Sequence, residues 1–302
     1  MEEVGSPRVD PEACTGCGAC VSVCPAQVLT LSDGRAGVTG AGCIGCGHCA
    51  AVCPVGAVRA DTGDGWAESY VTMTPSEALL PAGKCPPALL VDILRSRRSC
   101  RRFTSEEVPG AMLEDLVRMA VAAPSGTNSQ AWTFTVLTSR AAVMSLAEAV
   151  AGFFRRLNRL AARPFPRRLL AWCGYGELED YYRRYYPEVR QALTDWDRER
   201  TDRLFYDAPA AMLIGSRPGA SCPVEDAMLA AGNVLLGAQS MGLGACLIGY
   251  AVAALEHDRR VRAAVGVPRG ERVHAVIALG WPAVHFVRPV GRRRPLMRYR
   301  TA

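Results

Sequence analysis

Eight of the thirteen cysteines fall into two copies of one short pattern, and that pattern limits what the first sixty residues can become. Cys14, Cys17, Cys20 and Cys24 read C-x2-C-x2-C-x3-C and are followed by Pro25. Cys43, Cys46, Cys49 and Cys53 repeat the run, followed by Pro54, after a constant offset of 29 positions. The next residues, CPAQVLTL and CPVGAVRA, echo each other as well, so each copy reads as a cysteine loop followed by a short strand. A cubane iron–sulfur cluster needs four thiolates around one small volume. A tight loop with a cysteine at every third position supplies three, and the fourth must come from elsewhere. Gly16, Gly18, Gly45 and Gly47 allow the backbone to curl and aim amide N–H groups at the sulfides. Structural four-cysteine zinc sites use two well-separated pairs, not four cysteines in eleven residues.

The segment resembles two-[4Fe-4S] bacterial ferredoxins over residues 8–60. In that pattern the last cysteine of each run serves the other cluster. Cys14, Cys17, Cys20 and Cys53 are then expected to hold one cluster, and Cys43, Cys46, Cys49 and Cys24 the second. The crossing also staples a domain with little apolar mass. A ferredoxin-like 2[4Fe-4S] domain is expected over 1–62 and a linker over 63–88, where Gly, Pro, Asp and Ser recur without periodicity.

From Leu89 the pattern changes. LLVDILRSRRSCRRF begins as an amphipathic helix and ends in a basic patch. VPGAMLEDLVRMAVAAP is a second helix, with Met112, Leu113, Leu116, Val117 and Ala120 at helical spacing and Pro124 as its stop. SGTNSQAW is a polar turn and TFTVLTS a strand. Residues 141–200 read as largely helical, and 207–216 as a strand. Residues 224–242 form a helix of small residues. ACLIGY, LEHDRRVRAAVG and VHAVIALGWP follow as strand, short helix and strand. The whole is an α+β layer fold. Arg97, Ser99 and Arg101 alternate at a helix end, with Arg98 and Arg102 between and after them; planar guanidinium groups and a short hydroxyl suit a phosphate. Ser125, Asn128 and Gln130 share the polar turn, and amide side chains both donate and accept.

RSRRSCRRF, AAPSGTNSQAWTF, GLGACLIGY and GWPAVHFVRPVGRRRPL, in this order, resemble the FMN-dependent nitroreductase family over 89–302. The resemblance implies a nitroreductase-type α+β sandwich, a homodimer, and FMN at each subunit interface. It implies that Arg97, Arg98, Ser99 and Arg101 hold the phosphate and ribityl chain, and that Ser125 and Asn128 approach the isoalloxazine. Ile248 and Gly249 would present backbone N–H groups near flavin N5, and Arg292 or Arg294 would reach the phosphate. Three features depart from the pattern: Ala131 stands where proline is common, Cys100 lies inside the clamp, and 152–200 is a long insertion rich in Arg and Tyr, expected to cover the flavin. No catalytic side chain is assigned.

The net charge of +6 is mostly clustered arginine, at Arg155, Arg156, Arg159, Arg163, Arg167 and Arg168 and again over Arg288–Arg300. The first group reads as a solvated helix face in preference to an anion site. No nucleic-acid partner and no membrane span are expected, because the most apolar stretch, 227–255, is interrupted by Gly, Asn and Gln. MEEVGSPRVDPEAC lacks the apolar core of a signal peptide, and the cysteines follow cluster spacing, so a reducing, cytoplasmic setting is expected. The resulting expectation is an oxidoreductase whose clusters relay electrons from an external donor (ferredoxin, flavodoxin or NAD(P)H) to FMN. The flavin then reduces a small electron-poor acceptor. The competing expectation is an electron carrier in a larger complex with no small substrate of its own.

Overall fold

The computed structural model describes residues 5–76 and 80–300; three positions of the expected linker, 77–79, lie outside the described residues. The N-terminal region is made of β1 (Arg8–Val9), α1 (Ala19–Ser22), β2 (Leu29–Ser32), β3 (Arg35–Val38), α2 (His48–Ala51) and β4 (Val58–Arg59). β1 pairs antiparallel with β4, closing the ends of the duplication on each other, and β2 and β3 form a hairpin. α1 and α2 occupy equivalent places in the two copies. Gly16, Gly18, Gly45 and Gly47 all have φ between 62° and 75°. A Cβ on Gly16 would lie 2.0 Å from the Gly34 carbonyl oxygen, so the curl expected of these loops excludes a side chain there.

The larger domain contains α3 (Pro87–Ser96), α4 (Gly110–Val121), β5 (Trp132–Leu137), α5 (Arg140–Ala161), α6 (Pro164–Trp172), α7 (Glu177–Arg184) and α8 (Tyr186–Glu199). They are followed by β6 (Ala210–Ser216), α9 (Pro223–Ser240), β7 (Gly244–Leu247), α10 (Gly249–His257), α11 (Arg259–Ala264) and β8 (Arg272–Gly280). The strands form one antiparallel sheet in the order β5-β6-β8-β7. β6 is buried along its whole length, as a strand covered on both faces must be. Ala211 and Leu213 face a core shared with Leu146, Val150, Phe154 and Ala254. Ala210, Met212 and Ile214 face the other, shared with Leu116, Ala230 and Val234. The small residues of α9 serve a purpose there: a Cβ on Gly237 would lie 2.4 Å from Met119 Sδ, so glycine lets α4 and α9 approach closely.

Two readings from the sequence need correction. ACLIGY is not a strand throughout, because β7 ends at Leu247 and α10 begins at Gly249. The helix expected from LEHDRRVRAAVG is two, divided at Asp258, whose carboxylate accepts from the Arg260 N–H at 2.8 Å and caps α11. The basic run in 155–168 is partly consumed within the chain. Arg155 pairs with Asp197 at 2.5 Å, Arg156 with Asp258, and Arg167 with Glu179 at 2.5 Å. No helix among the described residues is long and apolar enough to cross a membrane.

Candidate active site

Two concavities in the N-terminal domain sort the eight cysteines. One is lined by Cys14, Cys17, Cys20 and Cys53. The other is lined by Cys24, Cys43, Cys46 and Cys49. Each draws three sulfurs from one loop and the last cysteine of the other run, which is the crossed arrangement expected from the spacing. Four thiolates around each space are the donor set a cubane cluster takes. Backbone N–H groups already face the sulfurs: Ala36 to Cys14 at 3.5 Å, Gly45 to Cys43 at 3.4 Å, and Ala57 to Cys53 at 3.2 Å. The N–H of Val55, joined by those of Val58, Ala57 and Gly56, draws the Cys53 thiol below its ordinary range. Burial instead pushes up the thiols of Cys20 and Cys49, the third cysteine of each run.

The linker is fastened rather than free. Asp115, fully buried on α4, accepts from the N–H groups of Val71 and Thr72, both at 2.7 Å, and from the Thr72 hydroxyl at 2.6 Å. Arg118, one turn on, stacks over the Trp66 ring at 4.4 Å and donates from Nε to the Trp66 carbonyl at 3.1 Å. A second fastening lies in the turn between α4 and β5. There Asn128 Nδ2 donates to the carbonyls of Ile44 and Gly45, both at 3.0 Å. Two carbonyl partners leave no ambiguity about which end of the amide faces them.

This revises the reading of Asn128. Its amide N–H groups are spent on the loop between Cys43 and Cys46, leaving only Oδ1 for another ligand. Ser125 Oγ accepts from the Gln130 N–H at 3.0 Å and keeps its own proton to donate.

The basic motif lies elsewhere. Ser99 bridges Ala245 in parallel, and the Cys100 N–H donates to the Ala245 carbonyl at 3.0 Å, so 99–100 runs along the outer edge of β7. Burial raises the pKa of the Cys246 thiol there, while Arg101, the Ser99 hydroxyl and Arg97 act against it. Arg98 does not join them; its guanidinium donates to the Arg95 carbonyl at 3.0 Å and caps the end of α3. Ile248 also drops out, because its N–H donates to the Val276 carbonyl at 2.8 Å as the β7–β8 ladder continues. Gly249 opens α10, and a Cβ there would meet nothing within 4 Å. Arg292 and Arg294 are exposed on a segment without helix or strand, and they form no ion pair among the described residues.

β5 and β7 are opposite edges of the four-stranded sheet. Three strand spacings separate them, about 14 Å. The structure therefore does not bring Ser125 and Asn128 to the arginine motif within one chain. The 152–200 segment folds as helices whose aromatic rings pack toward α10. Phe154 and Tyr185 meet Tyr250 edge-on at 5.6 and 6.4 Å, and the Tyr181 hydroxyl donates to Asn158 at 2.6 Å.

Comparison with known proteins agrees with these two parts. Residues 94–281 match the nitroreductase family and residues 6–62 a 4Fe-4S dicluster domain. An NADH dehydrogenase of Thermus thermophilus is 28% identical over 208 residues, which cover 68% of this chain and 91% of that protein. A 4-nitrobenzoate reductase of Nocardioides sp. is 27% identical, covering 63% and 78%. An iodotyrosine deiodinase of Thermotoga neapolitana is 27% identical, covering 64% and 89%. A nitroreductase with bound FMN from Bacteroides fragilis shares the fold with a TM-score of 0.51 at 20% identity, covering 70% and 98%. The chain belongs to the nitroreductase family of FMN-dependent oxidoreductases and carries an N-terminal domain for two 4Fe-4S clusters.

Proposed function

We propose that the clusters deliver electrons to FMN, and that the reduced flavin passes them to a small electron-poor acceptor such as a nitroaromatic, a quinone or an activated alkene. The observation that carries this reading is the Asn128 fastening, which ties the Cys43–Cys46 loop to the turn bearing Ser125. A cluster domain that only stored electrons would need no such bond. When bound, FMN supplies two-electron chemistry at N5 and each cluster supplies one electron. The chain's residues supply position: Arg97, Ser99 and Arg101 grip the phosphate and ribityl end, and the Gly249 N–H meets the ring edge from the start of α10. The related sequences are named for a dehydrogenase, a nitro reductase and a deiodinase, so the family tie leaves the acceptor open while agreeing on reduction.

Two observations favour a homodimer. The flavin-contacting motifs sit on opposite sheet edges, so a site using both needs a second chain. α3 and α9 also leave Leu89, Leu90, Leu94, Val224, Met228 and Leu229 about half exposed, more apolar surface than a lone helix pair usually leaves in water. In such a dimer the clusters of one protomer serve the flavin gripped by the arginines of its partner. The donor is an external ferredoxin, a flavodoxin or NAD(P)H.

The test is anaerobic. Material purified without oxygen should contain about eight irons and one FMN per chain. After chemical reduction of the clusters, the flavin band should bleach, and a nitroaromatic or quinone should restore it with turnover. A flavin that stays oxidised beside reduced clusters sinks the relay. Bleaching without turnover of any such acceptor favours a carrier within a larger complex.

A further inference from the structure

The Asn128 contact reaches further than docking. The Ile44 carbonyl that accepts from Asn128 Nδ2 belongs to the same peptide unit as the Gly45 N–H, and that N–H donates to Cys43 Sγ at 3.4 Å. The result is an unbroken chain from a side chain of the reductase domain, through one peptide, to a cluster sulfur. The second carbonyl, that of Gly45, shares its peptide with the N–H of Cys46. Donation to a peptide oxygen polarises the unit and strengthens its N–H as a donor. Hydrogen bonds to the sulfurs of an iron–sulfur site stabilise its more negative, reduced form.

The turn is built to hold this contact. Thr127, Asn128 and Gln130 have φ of 51°, 55° and 44°. Asparagine tolerates that region, but a β-branched threonine does not adopt it without support. The support comes from the start of α9. Buried Asp226 accepts from the Gly126 N–H at 2.9 Å and from the Ser129 hydroxyl at 3.3 Å. Ser221 Oγ donates to the Gly126 carbonyl at 2.7 Å and lies 3.0 Å from Thr127 Oγ1. Among the described residues, no side chain of the reductase domain makes a hydrogen bond to the first cysteine loop.

We propose that Asn128 is a positioning residue that raises the reduction potential of one cluster alone, the one held by Cys24, Cys43, Cys46 and Cys49. This rests on the reading of the N-terminal domain as a two-cluster domain. That cluster is the one whose loop meets the turn between α4 and β5, and the bond makes it a better electron acceptor than it would be without Asn128.

The test is a redox titration of the holoprotein against dithionite, followed by electron paramagnetic resonance, for the native chain and for Asn128→Leu and Asn128→Ser. Each reduction adds one electron, supplied by dithionite, to one cluster. In both variants one midpoint should fall, by about threefold or more in that cluster's reduction equilibrium. The other midpoint should hold, at unchanged iron and sulfide content. Asn128→Gln, which keeps the donor, should recover part of the shift. Two unmoved midpoints overturn the inference, and so does a shared shift of both. Absence of any reduced-cluster signal in the native protein sinks the cluster reading itself, a different failure from an unmoved midpoint.

Discussion

Removing the Asp115 carboxylate should open the linker by an amount that the geometry allows one to work out. Its oxygens accept two backbone N–H bonds and one hydroxyl bond, all within 2.7 Å, and Arg118 lies 3.6 Å away. Each hydrogen bond to a charged acceptor contributes about 1.5–3 kcal/mol, but a shared acceptor does not yield their sum. Asp115→Ala leaves two N–H groups without their acceptor and removes one of the two carboxylates beside Arg118, the other being Glu114 at 2.8 Å. Breaking such a buried set costs about 3–5 kcal/mol. If that energy resides in the 66–76 latch, amide exchange there should accelerate by about two to three and a half decades. Hydrogen exchange with mass spectrometry on the intact holoprotein reads this directly. Thr72→Val, which removes only the hydroxyl bond, should give about one decade. The pH dependence follows from the same bonds. Burial would raise the Asp115 pKa, but the Thr72 hydroxyl, the Val71 and Thr72 amides and Arg118 together hold it below the ordinary value. A lowered folded-state pKa stabilises fully above the usual carboxylate range, near pH 4, and the gain is lost as pH falls through the depressed value. Protection of 66–76 should therefore be constant at neutral pH and collapse only in acid. Exchange in Asp115→Ala within threefold of the native rate would show that the latch is held by something else.

Two further outcomes follow from the site geometry. Cys24→Ser should reduce iron from about eight to about four per chain and leave a cluster whose midpoint ignores Asn128→Leu; Cys53→Ser should leave one that responds. Uncrossed ligation reverses the two results. Gly249→Ala should fold normally, since the new methyl meets no atom within 4 Å, yet weaken FMN binding by about tenfold or more because the methyl stands where the ring must approach; an unchanged dissociation constant in a fluorescence titration removes Gly249 from the site.

Much of this molecule was readable where the reading depends on spacing. Cysteine intervals located the two loops, because three of the four cysteines around each space come from one local run, while the fourth comes from the other run. Helical and strand periods located α4, β5, β6, α9 and β8 within a few residues. What escaped were facts that depend on which segment lies across from which. Ile248 sits where an exposed N–H was expected, but strand β8 runs alongside and takes that proton. Arg98 stands among the arginines proposed to grip the phosphate, yet the last turn of α3 leaves the Arg95 carbonyl within its reach. Asp115 and Arg118 carry a signal that the sequence does contain: a charged pair three apart, with Leu113 and Leu116 beside it in a helix otherwise patterned for burial. Its partners at 66–72 have no periodicity, so nothing in the linker says where it is fastened.

The fastenings of the linker and of the cluster domain belong to one structural unit. Asp115 and Arg118 lie on α4 and hold the linker at 66–72, and Asn128, in the turn that follows, holds the small domain itself, so the helix and its exit turn grip the domain and the segment leaving it. The Asn128 bond alone would leave the domain free to pivot; with the linker also held, on a helix packed against α9 through Gly237, its swing is limited. The unfavourable backbone at Thr127 fits this arrangement. A relaxed turn would carry the Asn128 amide away from the Ile44 and Gly45 carbonyls, so Asp226 and Ser221 hold the turn in a conformation it would not choose alone. Stability given up in that turn is returned as a fixed separation between a cluster and the reductase domain, and electron transfer depends on separation more steeply than on any single contact energy.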